Sequence, residues 1–160
     1  MNIALVGYGK MGRMIEAEAV KRGVGIAATI DLCAPDASCC IKNTSDLITA
    51  VKESKADAVI EFTHPDAVLK NIEALVTTGV PVIIGTTGWL KHLDYVRTLV
   101  EKHNSCLFYA ANYSIGVNLF YKIVKEAGML FSQYDEYDTA IWEAHHTQKA
   151  DSPSGTALDI

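Results

Sequence analysis

Three glycines stand near the start of the chain, in the stretch Gly7-Tyr8-Gly9-Lys10-Met11-Gly12. The short apolar run at 2–7 is typical of a buried parallel strand, and 11–23 carries apolar residues at helical spacing up to Gly23. In such a strand–turn–helix unit the first glycine permits a tight turn. The second lets the backbone approach a pyrophosphate, and the third lets helix and strand pack closely. The stretch therefore predicts a dinucleotide-binding turn.

Strands and helices continue to alternate up to residue 112. The patterns predict strands at 24–31, 57–63, 80–88 and 106–112, helices at 45–54, 65–79 and 90–104, and a loop at 33–45. This alternation indicates an α/β fold, a Rossmann-type doubly wound parallel sheet. A long helix at 116–131, with Val117, Phe120, Ile123, Val124 and Ala127 on one face, and a strand at 137–146 follow. We therefore expect a dinucleotide-binding domain over 1–112 and the start of a second, α+β domain over 113–160.

Charge and composition exclude several classes of partner. The chain has 14 Lys and Arg against 19 Asp and Glu, a net charge of −5, which disfavours nucleic-acid binding. No apolar run approaches the roughly 18 residues of a membrane-spanning helix. The amino terminus does not resemble a signal peptide, so we expect a cytoplasmic protein. The four cysteines lack CxxC spacing, which predicts free thiols and no metal site.

An acidic residue closes the second predicted strand. Asp31 lies 19 residues after Gly12, where a carboxylate accepts hydrogen bonds from an adenosine ribose. The same carboxylate would repel a 2′-phosphate, so the sequence favours NADH. Lys10 or Arg13 could pair with a 2′-phosphate, which leaves NADPH possible.

Two further turns follow predicted strands, at the edge where open α/β sheets bind ligands. They contain Phe62 and Thr63 in the first turn, and Gly85, Thr86 and Thr87 in the second. We expect both turns to lie around the nicotinamide.

The stretch EAHHTQKADSPSGTAL, residues 143–158, concentrates reactive side chains. Ser152 and Pro153 predict the start of a helix whose first turn, at 154–156, offers N–H groups and hydroxyls to a carboxylate. A histidine can release a proton near neutral pH, and a lysine can pair a second carboxylate or polarise a C=N bond. Along a strand, His145 and His146 would point to opposite sides, so we expect different roles for them.

These segments, with EFTHP, GTTG and ANYSIGVN, resemble the 4-hydroxy-tetrahydrodipicolinate reductase (dihydrodipicolinate reductase) family over all 160 residues. The resemblance implies NAD(P)H-dependent reduction of 4-hydroxy-tetrahydrodipicolinate to tetrahydrodipicolinate in lysine and diaminopimelate biosynthesis. It implies His145 as proton donor and Lys149 as the other catalytic residue. It implies cofactor contacts from the glycine turn, Asp31, the two further turns and the segment Ala111, Asn112 and Tyr113. Substrate carboxylate binding falls on His146, Ser154, Gly155 and Thr156.

The resemblance also bears on assembly. Family chains continue beyond the last predicted helix and form cytoplasmic homotetramers. We therefore expect an incomplete, poorly held substrate-binding and oligomerisation domain over 113–160. The alternative function is an NAD(H)-binding module, or an inactive fragment, that binds the cofactor without turnover.

Overall fold

The structure is a computed structural model that describes residues 1–110, 112–145, 147, 152–154, 156–157 and 160. The chain divides into two compact units, Met1–Ala111 and Asn112–Ile160, and each is described by itself.

The first unit is a parallel sheet of six strands. In chain order these are β1 (Asn2–Val6), β2 (Gly25–Asp31), β3 (Cys39–Cys40), β4 (Ala58–Glu61), β5 (Val82–Ile84) and β6 (Leu107–Tyr109). Their order across the sheet is β3-β2-β1-β4-β5-β6, and every neighbouring pair is parallel. The helices are α1 (Lys10–Lys21), α2 (Thr44–Ser54), α3 (Pro65–Leu75) and α4 (Leu93–Lys102). The predicted doubly wound α/β fold is confirmed.

Alternation along β1 explains why helices cover both faces of the sheet. Ile3 and Leu5 pack with Ala19 of α1 on one face. Ala4 and Val6 belong to the larger apolar cluster on the other face, to which α2, α3 and α4 also contribute. Burial of apolar side chains on both faces is what distinguishes a central parallel strand from a half-exposed one.

The chain order of the sheet reverses at β1, because β2 lies on one side of it and β4 on the other. Val6 is level with Ile30 of β2 and with Glu61 of β4, so these three strands end at the same edge. Open α/β sheets bind ligands at such a reversal, beyond the carboxyl ends of the strands.

Several element boundaries differ from the sequence prediction. The predicted loop at 33–45 contains β3, a strand of only two residues, too short to produce a recognisable pattern. The predicted helix at 65–79 ends at Leu75 and continues as a 3-10 turn over Val76–Thr78. The helix predicted over 90–104 likewise begins with a 3-10 turn, Leu90–His92.

The second unit contains one long helix, α5 (Ile115–Phe131), which agrees with the predicted helix at 116–131. Ser114 caps it by accepting a hydrogen bond from the backbone N–H of Val117. The predicted apolar face of this helix is partly exposed, since Phe120 is 48% and Ile123 66% exposed. Within the described ranges, no helix is both long and apolar enough to cross a bilayer.

The predicted strand at 137–146 is wrong for its described part, because 137–145 has no regular secondary structure. A strand requires a hydrogen-bonded neighbour. Among the described residues of the second unit no strand is present to provide one. The expectation that His145 and His146 alternate along a strand therefore loses its basis, and His146 lies outside the described residues.

Candidate functional site

A cleft of about 690 Å³ lies at the carboxyl ends of β1, β2 and β4. Its walls come from the glycine turn, from the end of β2, from the segment that joins β3 to the first turn of α2, from the turn after β4 and from α3. They include Gly7, Gly9, Asp31, Phe62, Thr63 and Asn71. The sequence predicted a cofactor site at this edge, and most of its predicted residues come from these segments.

The three glycines of the first turn have different surroundings. Gly7 has a φ of +93°, and a Cβ there would overlap the carbonyl oxygen of Phe62. A Cβ at Gly12 would overlap the carbonyl oxygen of Gly7, so α1 packs directly on the turn. At Gly9 a Cβ would meet no atom of the described residues within 4 Å. Gly7 and Gly12 are thus required by the fold itself, whereas Gly9 faces open space in which a ligand can approach the backbone.

Gly9 is also the N-cap residue of α1, and no side chain caps this end of the helix. The first N–H groups of α1 therefore retain their capacity to bind an anion, and the helix dipole adds positive potential at the same place. Lys10 and Met11, both exposed, begin the helix. This end of α1 has the chemistry that a pyrophosphate requires.

The carboxylate of Asp31 is bound by the backbone around it. Oδ2 accepts the N–H of Tyr8 at 2.7 Å, and Oδ1 accepts those of Cys33 at 2.8 Å and Ala34 at 3.0 Å. Burial raises the pKa of Asp31, but these hydrogen bonds outweigh it and hold the pKa below its usual value. The interaction stabilises the fold above the ordinary carboxyl pKa and is lost as the pH falls through the lowered pKa.

Arg13 is already paired. Its guanidinium forms two hydrogen bonds with the carboxylate of Asp36, one of them 2.6 Å long, and lies 4.5 Å from the centre of the Tyr8 ring. The Tyr8 hydroxyl in turn donates to Glu16. Of the two cations that the sequence offered to a 2′-phosphate, Arg13 is neutralised by Asp36, while Lys10 is exposed at the start of α1.

The turns after β4 and β5 are joined to each other. The ring of Phe62 occupies the space that a Cβ of Gly85 would need. The N–H of Thr63 donates to Oγ1 of Thr86 at 2.7 Å. Buried Trp89 donates its indole N–H to the carbonyl of Thr86 at 3.0 Å. The two turns predicted to lie around the nicotinamide therefore form one hydrogen-bonded layer, with Thr87 exposed at its surface.

Glu61, which the sequence reasoning missed, lies beneath this layer. It ends β4 and is 0% exposed. Oε1 accepts hydrogen bonds from the Thr63 hydroxyl and, at 3.1 Å, from the Asn71 amide, whereas buried Oε2 has no partner of normal geometry in the part of the chain that the structure describes. Burial raises the pKa of Glu61, against the opposing effect of hydroxyl and amide groups of Thr63, Thr86 and Asn71. The sequence feature that could have identified Glu61 is an acidic residue at the end of a buried strand, directly before Phe62 and Thr63.

In the second unit, Glu143 joins His145 to Ser154. Nε2 of His145 lies 2.9 Å from Oε2 of Glu143, and the N–H of Ser154 donates to Oε1 at 2.8 Å. Hydrogen bonds from Ser154, and then the contact with His145, lower the pKa of Glu143. An ionised carboxylate only accepts hydrogen bonds, so Nε2 of His145 donates and Nδ1 is the nitrogen left for another partner. The sequence reasoning also missed Glu143, although it is the first residue of the stretch 143–158.

The cap of the last turn falls two residues later than the sequence suggested. Oγ of Ser154, not of Ser152, accepts the backbone N–H of Ala157 at 3.1 Å, the spacing of an N-cap, and Ser154 is 5% exposed. This hydrogen bond makes Ser154 the N-cap residue of the turn. Pro153, which precedes it, has no backbone N–H to donate. Thr156 follows in the turn and is half-buried.

Of the remaining predicted site residues, two are described by the structure and four are not. Asn112 is half-buried and accepts the N–H of Ser114 at 2.8 Å through its side chain, and Tyr113 is 41% exposed. Across the part of the chain that the structure describes, no three His, Cys, Asp or Glu side chains cluster as metal ligands would. Four predicted residues lie outside the described residues: Ala111, His146, Lys149 and Gly155.

Comparison with known proteins identifies two consecutive family matches. Residues 1–113 match the family described as "Dihydrodipicolinate reductase, N-terminus", and residues 116–160 match "Dihydrodipicolinate reductase, C-terminus". The chain is 37% identical over 160 residues to a 4-hydroxy-tetrahydrodipicolinate reductase of Christiangramia forsetii. It is 43% identical over 122 residues, 74% of its own length, to one of Methanococcoides burtonii.

A solved structure is similar along nearly the whole chain. It is a dipicolinate-bound dihydrodipicolinate reductase from Paenisporosarcina sp. TG-14, with a TM-score of 0.70 and 27% identity over 99% of this chain. The match covers 63% of that protein, and the two relatives are covered to 62% and 44%. The chain therefore spans less than two thirds of the length of these proteins.

Proposed function

The chain belongs to the dihydrodipicolinate reductase family, and we propose that it reduces 4-hydroxy-tetrahydrodipicolinate to tetrahydrodipicolinate with NADH. The names of substrate and product differ by the replacement of a hydroxyl group by hydrogen. The reaction therefore consumes a hydride and a proton and releases water. The nicotinamide supplies the hydride when bound, and the protein must supply a binding site and the proton.

The cofactor half of the proposal rests on the first unit. The open backbone at Gly9 and the uncapped start of α1 suit the pyrophosphate. Asp31 stays ionised at neutral pH, because hydrogen bonds lower its pKa, so it would repel a 2′-phosphate. Asp36 pairs with Arg13, which is one of the two cations that the sequence offered to a 2′-phosphate. These observations support a preference for NADH, with Lys10 leaving weaker use of NADPH open.

The proton-donating half rests on one observation, the contact of His145 with Glu143 at 2.9 Å, and this observation carries the proposal. A carboxylate on one ring nitrogen fixes the orientation of the imidazole and leaves the other nitrogen, Nδ1, for the substrate. His145 then delivers the proton from Nδ1 to the atom that becomes basic when the hydride adds. Glu143 accepts hydrogen bonds and remains ionised, because Ser154 and His145 lower its pKa.

Substrate binding is proposed on the family pattern. The similar structure from Paenisporosarcina is described as dipicolinate-bound, and dipicolinate is a dicarboxylate. We assign the carboxylates of the substrate to His146, Ser154, Gly155 and Thr156, and the second catalytic role to Lys149. The backbone N–H of Ser154 already donates to Glu143. The other described residue of this group is Thr156.

The cellular setting is proposed in the same way. The relatives carry the name of a biosynthetic enzyme, and we expect this chain to act in the cytoplasm. The resemblance further suggests a homotetramer for proteins of the full family length.

A turnover assay tests the proposal. The substrate is generated from aspartate semialdehyde and pyruvate by the synthase that condenses them, and oxidation of NADH or NADPH is followed by absorbance. We expect substrate-dependent oxidation that is faster with NADH. Cofactor binding without substrate-dependent oxidation would instead favour a module that binds NAD(H) without turnover.

A further inference from the structure

The carboxyl group of Glu61 is buried where it cannot contact a ligand. It ends β4, directly below the two turns proposed to face the nicotinamide, and it is 0% exposed. A group that is completely covered by protein cannot touch a cofactor. Any influence of Glu61 on the site must therefore pass through the residues to which it is bonded.

These hydrogen bonds connect Glu61 to the turn after β5. Oε1 of Glu61 accepts the Thr63 hydroxyl and the Asn71 amide, and Asn71 also donates to Oγ1 of Thr63 at 3.1 Å. The backbone N–H of Thr63 then donates to the hydroxyl of Thr86. The backbone of Glu61 adds a direct link, since its carbonyl accepts the N–H of Gly85 at 2.8 Å.

We propose that Glu61 is a positioning residue of the cofactor site, whose carboxyl group holds the turn after β4 and the turn after β5 in register. The role rests on the proposed nicotinamide-dependent function, because the two turns matter only if they face the cofactor. Thr63 and Thr86 are the residues through which Glu61 acts. Without the carboxyl group, the Thr63 hydroxyl and the Asn71 amide lose a shared buried acceptor, and the loss of such a partner is costly.

Ionisation of Glu61 would weaken this arrangement. Ionisation would place a negative charge on a buried group whose Oε2 has no hydrogen-bond partner of normal geometry among the described residues, and burial accordingly raises its pKa. A group with a raised pKa in the folded state contributes its full stabilisation below the unfolded value. The contribution is lost as the pH rises through the folded value.

The groups facing Glu61 from the neighbouring elements are uncharged. Val6 of β1 and Ile84 of β5 are level with it in the sheet, and its side-chain partners are hydroxyls and an amide. The ionisable groups of the following turn and of α3 are largely exposed or turned to another partner. They are exposed His64, Asp66 and Lys70, and half-buried Glu73, which accepts a hydrogen bond from Tyr95.

The test compares NADH binding by the full chain, by Glu61→Gln and by Glu61→Leu, with Glu101→Gln as the matched control on the exposed end of α4. Glutamine keeps an acceptor and cannot ionise, whereas leucine fills the space without an acceptor. We expect Glu61→Leu to weaken NADH binding by about tenfold or more, with Glu61→Gln and Glu101→Gln within about twofold of the wild type at mildly acidic pH. Each dissociation constant is measured at intervals from about pH 5 to about pH 9, upward from the ordinary pKa of a glutamate.

The pH series separates positioning from a general loss of stability. Wild-type affinity is expected to fall relative to that of Glu61→Gln as the pH rises, because only the wild type gains the buried charge. Parallel pH profiles, or wild-type affinity in a folded Glu61→Leu, would overturn the positioning role while leaving the cofactor site intact. Should Glu61→Leu not fold, the comparison of wild type with Glu61→Gln still decides. Failure of the wild-type chain to bind NADH or NADPH would overturn the proposed function as well.

Discussion

Replacing His145 with glutamine is expected to slow substrate-dependent NADH oxidation by a factor of about 10² to 10⁴, the usual contribution of a positioned proton donor. Glutamine can still donate a hydrogen bond to Glu143 from its amide, but it cannot release a proton at neutral pH. NADH binding should be unchanged, because His145 is not one of the residues proposed to bind the cofactor. Initial rates and NADH titrations of both proteins check the two halves of this expectation.

The matched control for His145 is His103→Gln, an exposed histidine at the end of α4 with no proposed role. It should oxidise NADH at the wild-type rate. Glu143→Gln should give an intermediate loss, because the imidazole of His145 remains but loses the carboxylate at 2.9 Å that orients it. Equal rates for wild type and His145→Gln would contradict the assignment of the proton donor.

Alanine at Gly7 and at Gly9 should produce opposite phenotypes. Gly7→Ala is expected to lower the free energy of unfolding by about 3 kcal/mol or more, because the new Cβ overlaps the Phe62 carbonyl and the residue has a φ of +93°. Gly9→Ala should change it by less than about 0.5 kcal/mol, since its φ of −82° suits alanine and its surroundings are open. Denaturant unfolding measures both values.

Cofactor binding completes the comparison of the two glycines. A Cβ at Gly9 would project into the space in which the backbone meets the pyrophosphate, so NADH should bind at least about tenfold more weakly to the stable Gly9→Ala protein. Titration of NADH into both proteins measures this effect. Wild-type affinity in Gly9→Ala would show that the open space at Gly9 is not where the cofactor approaches.

The sequence was most informative where one local pattern determines the structure. The glycine turn follows from the need for a positive φ at Gly7 and for close packing at Gly12, which few residue types satisfy. The order of strands and helices followed from apolar periodicity, and the parallel sheet confirmed it. The site residues assigned on the family pattern stay predictions.

Features that depend on distant partners could not be read in this way. The two residues of β3 are a strand only because Ile30 and Asp31 pair with them. The apolar alternation at 137–146 indicated a strand, but no neighbouring strand is present among the described residues of that unit. The importance of Glu61 depends on Asn71 and Thr86, which are 10 and 25 positions away along the chain.

The most direct test of the proposed reaction is to follow the hydride itself. NADH carrying deuterium at the transferred position is incubated with the chain and the substrate, and the product is analysed by mass spectrometry. The account predicts tetrahydrodipicolinate that contains one deuterium from the cofactor, formed in step with NAD⁺. Absence of that product from a folded, NADH-binding sample, or product without deuterium, would contradict the reduction proposed for this chain.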